Sequence, residues 1–150
     1  APKNAVEIPM DKEVPDTGVP NEIPADGQHL YCVTIITSDK RFEILKASLE
    51  AIGITGMTVT QALGFGLEKG QTQMYRGAAV SAKLLPKVRV DMVVSKIPPR
   101  TIIEVAKKAL YTGKYGDGKI FVTTVDNAVK IRTGEEGYDA LQDYPIEDDK

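Results

Sequence analysis

Between two strand-like runs, residues 57–63 and 88–94, the chain carries 24 residues that open on Gly64-Phe65-Gly66 and close on Leu84-Leu85-Pro86-Lys87. Gly64, Gly66, Gly70 and Gly77 leave no hydrophobic period there that a packed helix or strand could use. The stretch predicts a long solvated loop. Loops of this length in compact domains are usually functional or disordered. This one sets Lys69, Arg76, Lys83 and Lys87 against Glu68 alone and puts Tyr75 beside Arg76. That composition suits a probe for an anionic ligand or a partner surface.

The flanks supply a small domain to hold the loop. Residues 30–37 are apolar and rich in β-branched side chains, as in a central strand. Ser38 or Asp39 then caps a helix in which Phe42, Leu45, Leu49 and Ile52 form one core-facing stripe, and Gly53 ends it. Val88, Val90, Met92 and Val94 alternate with Arg89, Asp91, Val93 and Ser95, a strand with one buried face. After Pro98-Pro99, the Thr101/Glu104 spacing predicts a capping box for a helix burying Ile102, Val105, Ala106, Ala109 and Leu110. Gly113 stops that helix, residues 119–125 form a fourth strand, and residues 128–132 a short extended segment. The order gives an α+β ferredoxin-like βαββαβ sandwich with both helices on one sheet face. Nothing further in the sequence covers the other face, so self-association through sheets is expected.

Charge divides the chain into three. Residues 1–29 hold six acids, two lysines and five of the nine prolines, with no apolar face, and predict a linker. The last 17 residues hold seven acids and one lysine; 136–150 is expected to be an acidic tail. With these removed from the 21 acids and 19 bases of the chain, 8 acids and 16 bases remain, a body of net charge +8. This basic body, residues 30–133 of a domain expected over 30–135, implies anionic ligands. Nucleic acid is the weaker choice, because the aromatics are not interleaved with Arg or Lys as a stacking platform requires. A single cysteine, Cys32, excludes an internal disulfide framework and, beside a single histidine, His29, argues against zinc. No apolar run nears the roughly 20 residues of a membrane span. The sequence therefore reads as cytoplasmic, either free or as the cytoplasmic domain of a membrane protein.

A second glycine cluster, Gly113-Lys114-Tyr115-Gly116-Asp117-Gly118-Lys119-Ile120, has the spacing of a Walker A loop, with Ile120 where Ser or Thr would hold magnesium. It also leaves a helix and opens a strand, the reverse of a Walker loop. Converging backbone N–H groups with Lys114 or Lys119 can still cradle an anion. A plain glycine-rich turn remains the alternative.

Taken together, Gly56-Met57-Thr58-Val59-Thr60, Gly64-Phe65-Gly66, Lys69-Gly70, Tyr75-Arg76-Gly77, Leu85-Pro86-Lys87-Val88, Thr112-Gly113-Lys114, Gly116-Asp117-Gly118-Lys119 and Ile131-Arg132-Thr133-Gly134-Glu135 closely resemble the PII nitrogen-regulatory signal-transduction proteins. The resemblance implies a non-enzymatic homotrimer that binds ATP or ADP between subunits, senses 2-oxoglutarate with Mg-ATP and regulates partners through the long loop. It maps nucleotide binding to Thr58, Gly64, Phe65, Gly66, Val93, Gly116, Asp117, Gly118 and Lys119, with Lys130 and Arg132 contributed by the adjoining subunit. Lys87 corresponds to the residue that pairs with the effector carboxylate, and Tyr75, Arg76 and Gly77 to the partner-binding tip.

The chain departs from the family pattern in several places. Lys130 stands where Arg is usual, keeping charge but losing a bidentate fork. Leu67-Glu68 replace Arg-Gln; Glu68 would favour a magnesium ion held with ATP and repel 2-oxoglutarate, whose binding is therefore in doubt. The tyrosine and serine that members modify fall at Val80 and Ala78. The match of Tyr75-Arg76-Gly77 to the family's partner-binding tip, with these modification sites absent and residues 1–29 composed like a spacer, implies an Amt-type ammonium transporter as partner, separate or fused to the chain. A divergent sensor of another anion such as bicarbonate, and a small NTPase with Glu68 or Asp117 as base, are the alternatives.

Overall fold

The apolar run that opens the domain takes the middle of the sheet. The computed structural model describes residues 24–65, 74–75, 78–79 and 84–142. In chain order these form β1 (Leu30–Ser38), α1 (Phe42–Ala51), β2 (Thr58–Phe65), β3 (Met74–Tyr75), β4 (Ala78–Ala79), β5 (Leu84–Val94), α2 (Pro99–Leu110) and β6 (Lys119–Val125). The main sheet has the order β2-β5-β1-β6, with every pair antiparallel, while β3 and β4 make a separate two-stranded ladder. This is the expected ferredoxin-like α+β sandwich.

Register decides what is buried. Val33 lies opposite Met92 and Val122, and Ile35 opposite Val90 and Ile120. These side chains share the face on which α1 and α2 pack Leu45, Leu49, Ile102 and Ala106. Val33, Ile35, Leu45, Leu49 and Ile102 are wholly buried; each such side chain contributes about 1.5–3 kcal/mol of transfer free energy. The other face presents Cys32, Thr34, Ile36, Arg89, Asp91, Val93 and Phe121. No α-helix among the described residues covers it, and Phe121 stays 49% exposed.

Several local expectations change. The loop is shorter than its glycines suggest: the β2–β5 ladder continues to Phe65 opposite Leu84, and β3 and β4 pair within the expected loop. Because β2 is an edge strand, its backbone pairs while Leu63, Phe65 and Leu84 remain exposed, so no burial alternation marked the extension. Ser38 caps as expected, but it caps a 3-10 turn, Asp39–Arg41, that precedes α1. The buried stripe of α1 is Ile44, Leu45, Ser48 and Leu49; Phe42 and Ile52 pack only partly against the core.

The capping box at Thr101 does not form. Pro98 is the N-cap and Pro99 the first helical residue, whose fixed φ starts the helix without a side-chain cap. Glu104 instead faces Arg100 at 3.4 Å and Lys107 at 3.7 Å. Residues 128–132 are not simply extended. Val129 bridges to Glu136, and the Gly134 amide closes a turn on the Lys130 carbonyl at 2.7 Å. A 3-10 helix, Gly137–Leu141, then occupies the start of the expected acidic tail. At the other end, Asp26 accepts from the Gln28 and His29 amides at 2.8 and 2.9 Å, within the expected linker. Residues 1–23 and 143–150 of those two segments lie outside the described residues.

Candidate functional site

The glycine turn after α2 is built around one carboxylate. Asp117 accepts hydrogen bonds from the amides of Thr112 (2.8 Å) and Gly113 (3.0 Å), and from the Thr112 hydroxyl. Its own carbonyl accepts from Thr37 Oγ1 at 2.9 Å, tying the turn to the end of β1. Gly118, at φ +104°, passes so close to β1 that a Cβ would stand 2.0 Å from the Ile36 carbonyl oxygen. The turn is thereby held rigidly at the edge of a cavity of about 470 Å³, lined by Gly64, Phe65, Leu85, Lys87, Lys114, Tyr115 and residues 116–119. We refer to it as cleft one. Lys87, Lys114 and Lys119 gather there, while the one carboxylate in the lining among the described residues, Asp117, already accepts from its own turn. Lys87 lies flat over Gly64, where a Cβ would meet its Cγ at 2.7 Å. A positive, glycine-walled concavity of this kind suits a phosphate or carboxylate.

Cleft two, about 680 Å³, lies where β2 begins and β5 ends. Its lining includes Gly56, Met57, Thr58, Asp91, Val93, Lys96, Tyr138 and Gln142. Burial alone would raise the pKa of Asp91. Hydrogen bonds from Thr34 (2.5 Å) and Arg89 (3.0 Å), with the guanidinium charge, outweigh it and hold the carboxyl below its ordinary value. Lys130 reaches this cleft through the Gln142 carbonyl, to which its ammonium donates, and stands 3.8 Å from Glu135. Arg132 is exposed on the adjacent turn.

The structure thus divides the expected nucleotide residues. Gly64, Phe65, Gly116, Asp117, Gly118 and Lys119 line cleft one, together with Lys87. Thr58 and Val93, expected with them, line cleft two instead. The reason is strand length: Thr58 and Gly64 stand near opposite ends of β2, about 20 Å apart at the usual rise per residue. Asp117 serves as the brace of its turn. Gly66, Glu68, Arg76 and Gly77 lie outside the described residues; Tyr75 is in β3, paired with Ala78. Tyr115 and Leu85 in cleft one, and Asp91, Tyr138 and Gln142 in cleft two, were not anticipated as site residues. Tyr115 could have been found from its place inside the glycine turn. Gln142 could not, since it acts through its backbone carbonyl.

A ferredoxin-like sheet with a basic cleft at a glycine turn defines a class of small anion-binding domains. Comparison with known proteins narrows it. Residues 30–135 match the family model described as nitrogen regulatory protein P-II. The chain is 43% identical over 112 residues to a nitrogen regulatory PII-like protein of Bacillus subtilis, covering 75% of this chain and 97% of that protein. It is 44% identical over 109 residues to nitrogen regulatory protein GlnK of Escherichia coli, covering 73% and 97%. Among solved structures it resembles the B. subtilis GlnK–ATP complex, with TM-score 0.64, 39% identity and coverage of 76% of this chain and 99% of that one. The chain belongs to the PII nitrogen regulatory protein family.

The approach at Gly118 is testable against a second glycine of positive φ. Gly118→Ala should cost about 2–5 kcal/mol, combining left-handed strain with a backbone clash. Gly134→Ala, where no heavy atom lies within 4 Å of the added Cβ, should cost only about 1–2 kcal/mol. Urea unfolding at one protein concentration measures both, and equal losses would remove the clash from the account.

Proposed function

We propose that this chain is a nucleotide-sensing signalling protein. It assembles as a homotrimer, binds ATP or ADP where cleft one of one copy meets cleft two of the next, and acts through Tyr75, Arg76 and Gly77 on an Amt-type ammonium transporter, separate or fused. The observation that carries this is the split of the candidate residues between two clefts too far apart for one small ligand in one copy. A neighbouring copy reunites them. The uncovered sheet face, with Val93 and Phe121 exposed, offers the surface for that assembly. The ligand class is supported by the lysines of cleft one and by the B. subtilis GlnK relative, which was solved with ATP. On this reading the protein binds nucleotide without turning it over; in support, Asp117, one of the two candidate bases, has both carboxylate oxygens engaged within its own turn.

Four measurements test these statements. Light scattering should give three times the chain mass, and Arg132→Ala should weaken ATP binding by about 1–3 kcal/mol, the worth of a charge-assisted hydrogen bond; a monomer or an unchanged affinity overturns the shared site. 2-Oxoglutarate should bind weakly to the parent and more tightly to Glu68→Gln, because the carboxylate repels the dicarboxylate. Calorimetry with Mg-ATP decides this, and tight binding to the parent would show the expectation wrong. Ammonium flux through an Amt-type transporter in vesicles should respond to the domain and its bound nucleotide, and lose that response with Arg76→Ala; equal flux throughout removes the partner assignment.

A further inference from the structure

The segment after β6 is held at both ends by lysines. Lys130, with its side chain 11% exposed, donates from its ammonium to the Gln142 carbonyl and lies 3.8 Å from Glu135. This pins the chain just past the 3-10 helix Gly137–Leu141. Near the start of that helix, Lys96 Nζ sits 4.2 Å above the ring of Tyr138. Between the two lysines, Tyr138, Ala140, Leu141 and Gln142 form part of the lining of cleft two, beside Thr58 and Val93. No residue of the helix is fully buried. The Gly137 amide attaches its backbone to the Ala128 carbonyl at 2.9 Å, and the Gln142 amide closes the helix's own last turn on the Asp139 carbonyl at 3.2 Å. A segment with no fully buried residue opens more easily than the core, and its side-chain ties then decide how often.

We propose that Lys130 is a latch: its ammonium holds the 3-10 helix in the wall of cleft two, and an anionic ligand that draws the ammonium away releases the helix. The competition favours the ligand. A phosphate oxygen brings a full negative charge to the ammonium, which the neutral Gln142 carbonyl lacks. Lysine suits the exchange because its point charge swings on a flexible stem. The proposal rests on the nucleotide assignment above, since the competing anion is the phosphate chain. By reciprocity, a change that loosens the helix elsewhere must tighten the ligand.

Hydrogen exchange at the backbone amides of residues 137–142, measured on the full chain alongside an ATP titration, tests the latch. Saturating ATP should speed exchange at Gly137 and Gln142 several-fold. Lys130→Met should speed it without nucleotide, and Lys130→Arg should stay close to the parent. Tyr138→Leu, which removes the second tie, should tighten ATP binding about two- to fivefold, the worth of an exposed cation–π contact. Bound ATP with exchange unchanged or slowed, parent-like exchange in Lys130→Met, or no gain of affinity in Tyr138→Leu each overturns the latch. No ATP binding at all, which the titration reveals separately, removes the nucleotide assignment and the ligand-driven release with it.

Discussion

At the end of β1 two backbones meet with no room for a side chain between them. Gly118 crosses against the Ile36 carbonyl, and Thr37 donates to the carbonyl of the preceding Asp117. The rest of cleft one depends on this contact. It places the Asp117 carboxylate where it can gather the amides of Thr112 and Gly113, and the turn so fixed carries Lys114 and Lys119 to the mouth of the cavity opposite the end of β2. Because β1 is also the central strand of the core, the position of the turn is coupled to the best-packed part of the molecule. A site anchored in this way loses little order when a ligand binds, so less of the interaction energy goes into organising it.

The sheet also acts as a ruler. β2 and β5 run between the two clefts, and their length keeps the clefts apart in one copy of the chain. Cleft one gathers lysines, whereas cleft two combines Lys96 with an ionised Asp91 whose charge is held by Thr34 and Arg89. An anion therefore finds its stronger attraction in cleft one, and cleft two contributes shape and a few directed groups. The division of labour follows from where the strands end.

Much of the architecture could be read in advance. The four principal strands and both helices follow from hydrophobic period and from glycine and proline punctuation, since burial on one face writes itself into residue spacing. Local starts were less legible. Thr101 and Glu104 have the spacing of a capping box, but Pro98 and Pro99 begin the helix first, so the pair stands too far along to cap it. The β2–β5 extension through Phe65 and Leu84 was missed because an exposed edge ladder is held by backbone groups, which residue type does not report.

By itself the sequence determined the fold class, the partition of charge, the two glycine clusters and the family resemblance, because each depends on composition or on spacing along the chain. Only the tertiary structure decided which of those residues meet. It joined Gly64 and Phe65 to the Gly116–Lys119 turn, moved Thr58 and Val93 to another cleft, and engaged Asp117 and Lys130 with partners inside the same chain. The physical reason is that strand register and backbone carbonyls set these contacts. A carbonyl such as that of Ile36 or Gln142 is present at every residue, so its use becomes visible only when the chain is folded.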